Sequence, residues 1–275
     1  MTPLLLTIGV LIGAVLGLTG AGGSVLAVPL LVLLLHIEPA SATGLALGVV
    51  AASSIYGSIQ RIRHREILWI PALTFGISGV VAAPVGRMLS TQVSPTFLII
   101  SFSVLSLAIA ARMFGQSIRQ PEQSIVVRAN SGSGETEPLL CRFSETQKFD
   151  WRFRCMAGLT VGGVLTGLLS GFFGVGGGFM IVPFLTQLNS VSMRNGVATS
   201  LVIIAAISAS GFVTHTLTQA IDWQQLILLS MGGIGGMVLG SVLARWIAGA
   251  QLQCIFAATI VVMAALMLFK WSTIS

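Results

Sequence analysis

Two glycine clusters are the part of this chain whose residue type and spacing predict chemistry. Each cluster lies directly before an apolar run that predicts a short helix. Helix N-termini bind oxyanions, because unpaired backbone N–H groups and the positive end of the helix dipole meet there, and glycine lets these amides approach a ligand closely. The pattern therefore predicts an anion site built from backbone donors. Its candidate residues are Gly20, Gly22, Gly23, Ser24, Gly174, Gly176, Gly177 and Gly178.

Hydroxyl groups near the starts of two later apolar segments are further candidates. Thr43, Thr199 and Ser200 could each donate a hydrogen bond to an anion or, equally, to a carbonyl of their own helix. His215 ends an apolar segment beside a loop. That position favours a solvated interfacial histidine over a proton-coupling one.

Patterns typical of enzymes and metal sites are missing from the sequence. The three cysteines, Cys141, Cys155 and Cys254, are scattered, and no Asp or Glu falls near the middle of an apolar segment. No Ser/His/Asp set or His/Glu cluster accompanies them. We predict no catalytic residues, no metal site and no cofactor.

Composition places the chain in a bilayer. Of 275 residues, 55% are apolar and 8% are charged, and the mean hydropathy is +0.96. Soluble domains carry about 25% charged residues, and the long unbroken apolar runs exclude the alternating pattern of a transmembrane barrel. The fold class predicted is an all-α polytopic membrane protein. The net charge of +6 comes from basic residues that flank apolar segments, so no nucleic-acid partner is predicted.

The apolar runs predict ten segments with a charged stretch between the fifth and the sixth. They cover residues 3–19, 23–37, 41–60, 67–89, 95–114, 155–172, 177–189, 196–215, 223–246 and 252–271. The stretch between is rich in Gly, Ser and charge and predicts a flexible linker. The predicted organisation is a first transmembrane repeat at 1–114, a cytoplasmic linker at 115–153 and a second repeat at 154–275.

An internal repeat supports this division. A shift of 154 residues places Gly17–Leu31 over Gly171–Leu185 with seven of fifteen positions identical, four of them glycine. Two inserted residues then place Thr43 over Thr199 and Glu66 over Asp222. Five segments per half require the second half to enter the membrane inverted. The positive-inside rule agrees, because an outside N-terminus puts twelve basic residues inside and leaves only Arg87 and Lys270 outside.

Within each half, the Gly-rich turn joins two short helices. About 13 residues on each side make about 20 Å of helix against a hydrocarbon core of about 30 Å, so the pair need not span fully. Interrupted short segments at equivalent positions of inverted halves point to a midplane substrate site of a secondary transporter. Glycines four residues apart elsewhere predict close helix packing instead. These are Gly13, Gly17, Gly163, Gly167, Gly232, Gly236 and Gly240.

The second cluster, read as Gly171-Phe-Phe-Gly-Val-Gly-Gly-Gly-Phe179 and followed by Val182-Pro183, resembles the sulfite exporter TauE/SafE family of permeases. The family motif maps onto Gly174, Gly176, Gly177, Gly178 and Pro183. A weaker first copy maps onto Gly20, Gly22, Gly23 and Pro29, with Ser24 in place of the third glycine. Family members are usually drawn with seven or eight spans, fewer than the ten segments counted here.

The resemblance implies a multi-pass protein of the bacterial inner membrane that moves a small sulfur-containing anion such as sulfite, sulfoacetate or a related organosulfonate. The partners predicted are this small anion and the lipid bilayer, and the sequence does not determine the oligomeric state. A small-anion channel that uses the same glycine-rich helix N-termini is the alternative.

Overall fold

The fold is an all-helical bundle, described here from a computed structural model. The described residues are 2–20, 23–35, 37–63, 66–119, 153–178, 181, 193–244, 258 and 261–262. Over these ranges the chain forms eight helices of 12 to 26 residues and no strand. The helices are α1 (Thr2–Thr19), α2 (Gly23–Leu34), α3 (Pro39–Ile62), α4 (Trp69–Thr91), α5 (Pro95–Arg119), α6 (Phe153–Phe173), α7 (Met193–Thr218) and α8 (Trp223–Leu243).

Six of the described helices are long and apolar enough to cross a membrane: α1, α3, α4, α6, α7 and α8. Their bounds lie within three residues of the predicted segments. The polytopic membrane fold is therefore confirmed. Nearly all of the seventh and tenth predicted segments lies outside the described residues, and so does most of the predicted linker. Helix α5 extends to Arg119 and so includes residues 115–119, which were predicted to begin the linker.

The prediction of two short helices around each glycine cluster is correct for α2 and wrong for the helices before the clusters. With 12 residues, α2 is about 18 Å long, well under a hydrocarbon core of about 30 Å. In contrast, α1 has 18 residues and α6 has 21, and both qualify as spans. Gly13 and Gly17 do not shorten α1, because they remain helical and pack against α8.

Glycines bring α1 onto α8 and α6 onto α4 at backbone contact. A methyl group at Gly13 would overlap the Gly233 carbonyl, and one at Gly167 would overlap the Gly79 carbonyl. The shift of 154 residues relates these two contacts, because it pairs Gly13 with Gly167 and Gly79 with Gly233. The same holds for the contacts of Gly9 with Leu229 and Gly163 with Phe75, and of Gly17 with Met237 and Gly171 with Ala83. The predicted packing role of the four-residue glycine rhythm is confirmed.

The same shift of 154 continues through the later helices, so the predicted two-residue insertion is wrong. The turn at Gly20 contacts Val197 and the turn at Gly174 contacts Thr43, which makes Val197 the counterpart of Thr43. Trp69 and Trp223 likewise begin α4 and α8. The insertion was predicted because Ala42-Thr43 recurs as Ala198-Thr199, two positions beyond the shift of 154 residues. The glycine contacts between helices keep the shift at 154 instead.

The central helices α3 and α7 are counterparts of each other and run antiparallel. A methyl group at Gly57 would meet Leu201, and one at Gly211 would meet Leu47, so the end of α3 faces the start of α7. Around this pair the two halves interleave, because α1 packs on α8 and α6 packs on α4. Two mixed groups result: α1, α3 and α8 form one, and α4, α6 and α7 form the other.

Candidate functional site

The first glycine of each cluster ends a helix. Gly20 follows α1 with φ +69° and Gly174 follows α6 with φ +70°, the left-handed region where glycine has no Cβ penalty. Their N–H groups donate to the carbonyls of Leu16 and Ser170, each at 2.8 Å. Such a bond at the residue after a helix is the αL C-cap, which satisfies a terminal carbonyl. Gly20 and Gly174 therefore stop α1 and α6 in the same way.

Each of these turns packs near the start of the central helix that belongs to the other half. A methyl group at Gly20 would overlap Val197 of α7, and one at Gly174 would overlap the Thr43 side chain of α3. The Ser200 hydroxyl donates to the Gly20 carbonyl at 3.1 Å. These contacts join the two halves at both ends of the α3/α7 pair.

We expect Gly174→Ala to lower the free energy of unfolding. An alanine in the left-handed region costs about 1–2 kcal/mol, and its methyl group would also overlap Thr43. Adding Thr43→Ser removes the overlapping methyl group and should restore the part of the loss that is steric. Thermal unfolding of the purified variants measures both effects. A Gly174→Ala protein as stable as the parent would contradict the role of this turn in packing.

The second cluster continues in a tight buried turn. Gly176 and Gly177 have φ +70° and +65°, and Gly174, Gly176, Gly177 and Gly178 are all buried. A methyl group at Gly177 would lie 2.5 Å from the Thr166 side chain of α6. In the first cluster, Gly23 begins α2, whereas Gly22 and the Ser24 side chain lie outside the described part.

The three predicted hydroxyl donors all bind backbone carbonyls. Thr43 donates to Pro39 and Thr199 to Asn195, both at 2.7 Å, and Ser200 donates to Val197 as well as to the Gly20 turn. Thr199 also accepts the Leu68 N–H at 3.1 Å, which fastens the α3–α4 connection to α7. Of the two roles considered for these residues, the structure supports bonding to backbone carbonyls.

A cavity of about 270 Å³ opens beside the second turn, where α3 begins and α4, α6 and α7 end. Thr43 is the one predicted site residue among the described residues that line it. The other lining residues are Val28, Pro39, Ala40, Arg87, Ser90, Thr91, Val93, Leu98, Phe102, Phe172, Phe173 and Gln219. The cavity lies where the two mixed helix groups meet.

Arg87 is the charged residue among the described residues that line this cavity. Its side chain is 4% exposed although it lies four residues before the end of the apolar helix α4. Nη2 donates to the Gln219 side-chain oxygen at 3.1 Å and Nη1 lies 3.4 Å from the Ser90 hydroxyl, while Nε is buried without a partner. Among the described residues, no carboxylate pairs with this guanidinium. A buried charge without a counter-ion is unfavourable, so the cavity favours an anion.

The start of α3 adds to this electrostatic preference. Ala40 lines the cavity and is the second residue of α3, where the leading N–H groups have no carbonyl acceptor within the helix. Such N–H groups and the positive end of the helix dipole stabilise anions. The start of α3 thus offers the same anion-binding chemistry that the sequence predicted for the helices after the glycine clusters, and the sites at those helices stay predictions.

The sequence did not single out Arg87 as a candidate site residue, because this arginine counts among the basic residues outside the membrane. The available signal was a lone basic residue inside an apolar helix, since ionisable groups at membrane depth are rare and functional. The repeat does not duplicate it: the shift of 154 residues pairs Arg87 with Ser241. The cavity therefore carries a charge that its counterpart position lacks.

A profile of the sulfite exporter TauE/SafE family matches residues 5–267. The chain belongs to this family. It is a membrane transporter by this membership, and the predicted recognition is confirmed.

Three relatives of this TauE/SafE family member are named as probable membrane transporter proteins. A probable membrane transporter protein of Xylella fastidiosa strain 9a5c is 29% identical over 88% of this chain and 85% of its own length. A second, from Bacillus subtilis, is 26% identical over 88% of each chain. A third, from Methanocaldococcus jannaschii, is 26% identical over 78% of this chain and 72% of its own length. No solved structure matches this chain.

In this TauE/SafE protein, the cavity lies away from the middle of the helices, and the substrate site predicted at the membrane midplane stays a prediction. Pro39 and Ala40 are the first two residues of α3, and Arg87 lies in the last two turns of α4, so the cavity is near one end of the bundle. Within the described ranges, no group of three His, Cys, Asp or Glu side chains could hold a metal ion. The site's polar groups are suited to binding an anion.

Proposed function

We propose that this protein is a secondary transporter that moves a small sulfur-containing anion, such as sulfite, sulfoacetate or a related organosulfonate, by alternating access. The observation that carries the proposal is the buried Arg87, which faces a cavity whose other described lining residues are neutral and include no carboxylate. A guanidinium binds the oxygens of sulfite or a sulfonate in two-pronged geometry. Gln219 lines the same cavity, and its side-chain NH2 group is a neutral donor for a remaining oxygen. Thr43 and Ser90 also line the cavity, and we propose that their hydroxyls turn from the Pro39 and Arg87 carbonyls to the bound anion.

The apolar wall of the cavity favours an anion with an organic part. Phe102, Phe172 and Phe173 line one cavity with Arg87, so a sulfonate group at the guanidinium leaves its carbon chain against aromatic rings. In the proposed site, the two glycine turns position the helices around the cavity. The second turn holds Thr43 in place through Gly174, and we keep the backbone amides of Gly176, Gly177 and Gly178 as candidate contacts of the moving substrate.

The membrane arrangement proposed is two inverted repeats in the bacterial inner membrane with the linker in the cytoplasm. The antiparallel course of the counterparts α3 and α7 supports the inversion. Arg61 and Arg63 lie at the end of α3 opposite the cavity, and the positive-inside rule assigns that end to the cytoplasm. The cavity then faces the outer side of the membrane.

The proposed route runs along the seam between α3 and α7. Ser54 and Ser208 are counterparts under the shift of 154 residues, and both hydroxyls are buried without a hydrogen-bond partner in the described part of the protein. Both lie near the middle of their helices, at the depth where an anion crossing the membrane needs polar contacts. Tilting of the two mixed helix groups about this seam would expose the cavity to either side in turn.

Counterflow in proteoliposomes tests the proposal. We expect unlabelled sulfite inside the vesicles to accelerate uptake of labelled sulfite, and we expect uptake to saturate, because each turnover returns one loaded site. Sulfoacetate and isethionate should compete with the label, whereas chloride should not. Single-channel conductance with no counterflow would instead establish the small-anion channel. No flux and no binding of any sulfur-containing anion would overturn the proposed function.

A further inference from the structure

A buried histidine lies beside the proposed anion site and takes no part in it as described so far. His215, in the last turn of α7, is 0% exposed, so the prediction of a solvated interfacial histidine is wrong. Its ring lies over the Cα atom of Gly44, where a methyl group would overlap it. Gly44 thus provides the space in which this ring is enclosed.

The hydrogen bonding of the ring determines which nitrogen is available. Nε2 lies 2.9 Å from the Ala40 carbonyl, which can only accept, so Nε2 carries a proton. The neutral ring then leaves Nδ1 as a free acceptor. Nδ1 is buried and has no partner among the described residues. His215 therefore has one buried lone pair that can take up a proton.

His215 and Arg87 are joined through one residue. The Gln219 N–H donates to the His215 carbonyl at 2.9 Å, and the Gln219 side-chain oxygen accepts from Arg87 Nη2 at 3.1 Å. Ala40 adds a second link, because its carbonyl binds the histidine ring and the residue lines the anion cavity. Arg87 and His215 therefore belong to one hydrogen-bonded group, and a change of charge on one side chain changes the electrostatic energy of the other.

Arg87 of α4 is the charged group facing the ring among the described residues of the surrounding elements. On α3 the charged residue is Arg61, which lies at the far end and contacts Glu66 at 3.6 Å. Glu38, before α3, is exposed, and the exposed Asp222 accepts the first N–H groups of α8. Helix α8 carries no charged residue, and α6 carries only Arg154 at its start.

We infer that His215 binds the proton that is transported together with the anion. The inference rests on the proposed function. With the cavity empty, the Arg87 charge opposes a second positive charge on the ring; an anion at Arg87 removes this opposition, so anion and proton favour each other's binding. A proton from water binds the Nδ1 lone pair while the anion occupies the cavity, and both leave on the other side. One proton with one monovalent anion makes the cycle electroneutral.

Transport of isethionate into proteoliposomes tests this inference. A sulfonate is fully ionised near neutral pH, so any proton that enters with isethionate must be bound by the protein. With the membrane potential clamped, a gradient of one pH unit, acid outside, should accumulate isethionate about tenfold in the full-length protein. Entry should acidify the vesicle interior by one proton per anion. His215→Gln keeps a donor for the Ala40 carbonyl but cannot bind a proton. It should lose accumulation while retaining isethionate exchange at equal pH.

Controls separate this inference from the proposed function. Leu217→Ala changes an 82% exposed side chain in the same helical turn and should accumulate isethionate as the parent does. His215→Asn provides a second neutral variant if His215→Gln does not fold. Undiminished accumulation in either folded neutral variant, or isethionate flux in the parent that ignores the pH gradient, would overturn the role of His215 and leave the anion transporter standing. Absence of all sulfur-anion flux and binding in the parent would overturn both.

Discussion

Arg87→Gln should abolish the thermal stabilisation that sulfite gives the protein while leaving the unliganded protein at least as stable as the parent. Glutamine removes the charge that anion binding depends on, and charge-assisted hydrogen bonds contribute about 1.5–3 kcal/mol each. Loss of one or two of them lowers affinity by roughly 10-fold to over 1000-fold. The fold should not weaken, because an uncompensated buried charge is itself unfavourable. This combination is the expected signature of a ligand residue.

The measurement is the thermal unfolding midpoint of the detergent-solubilised protein as sulfite or isethionate is raised, since a ligand that binds the native state raises the midpoint. Arg87→Lys keeps the charge but loses the planar fork and should give an intermediate shift. Arg63→Gln is the matched control, because Arg63 is exposed at the opposite end of α3 and should respond as the parent does. A ligand response that survives Arg87→Gln would contradict the site. Loss of the fold in this variant would assign Arg87 a structural role.

Gly13→Ala should prevent stable folding, with an effect larger than that of an ordinary core substitution. The added methyl group would overlap the Gly233 carbonyl, so α1 and α8 would have to separate along their whole crossing. Overpacking a core costs about 1–3 kcal/mol where side chains can adjust, and here backbone meets backbone on both sides. Loss of the tight crossing also removes the close contacts that hold membrane helices together without a hydrophobic driving force.

The chain offers matched controls for this prediction. Gly235→Ala, in α8, adds a methyl group with nothing within 4 Å and should be neutral or slightly stabilising, because alanine is the better helix former by about 1 kcal/mol. Gly167→Ala, the counterpart of Gly13→Ala, would overlap the Gly79 carbonyl and should cause a similar loss. The yield of monodisperse protein and its unfolding midpoint measure all three. Equal behaviour of Gly13→Ala and Gly235→Ala would contradict the packing argument.

Local features of the sequence were sufficient for the helices and for the packing glycines. Apolar run length fixes which segments cross a membrane, because every buried backbone group in lipid must be bonded within its own helix. A glycine rhythm of four residues places one face of α1 and of α6 at a close crossing, as at Gly13 and Gly167. The left-handed turns at Gly20 and Gly174 also follow from local chemistry, since glycine adopts a positive φ without strain.

The anion cavity depended on contacts between residues far apart in the chain. Arg87 and Gln219 are separated by 132 positions, and His215 and Ala40 by 175. The sequence placed Arg87 and His215 beside loops and so expected them to be solvated; the packing of α3, α4, α6 and α7 at one end of the bundle buried them instead. Burial depends on what covers a residue, and Gln219 beside Arg87, like Ala40 and Gly44 beside His215, comes from the other half of the repeat. The sequence by itself therefore determined which segments form helices, the presence of a repeat and the left-handed turns. The tertiary structure decided the register of the repeat and which polar groups face each other in a shared low-dielectric cavity, because both depend on contacts between distant residues.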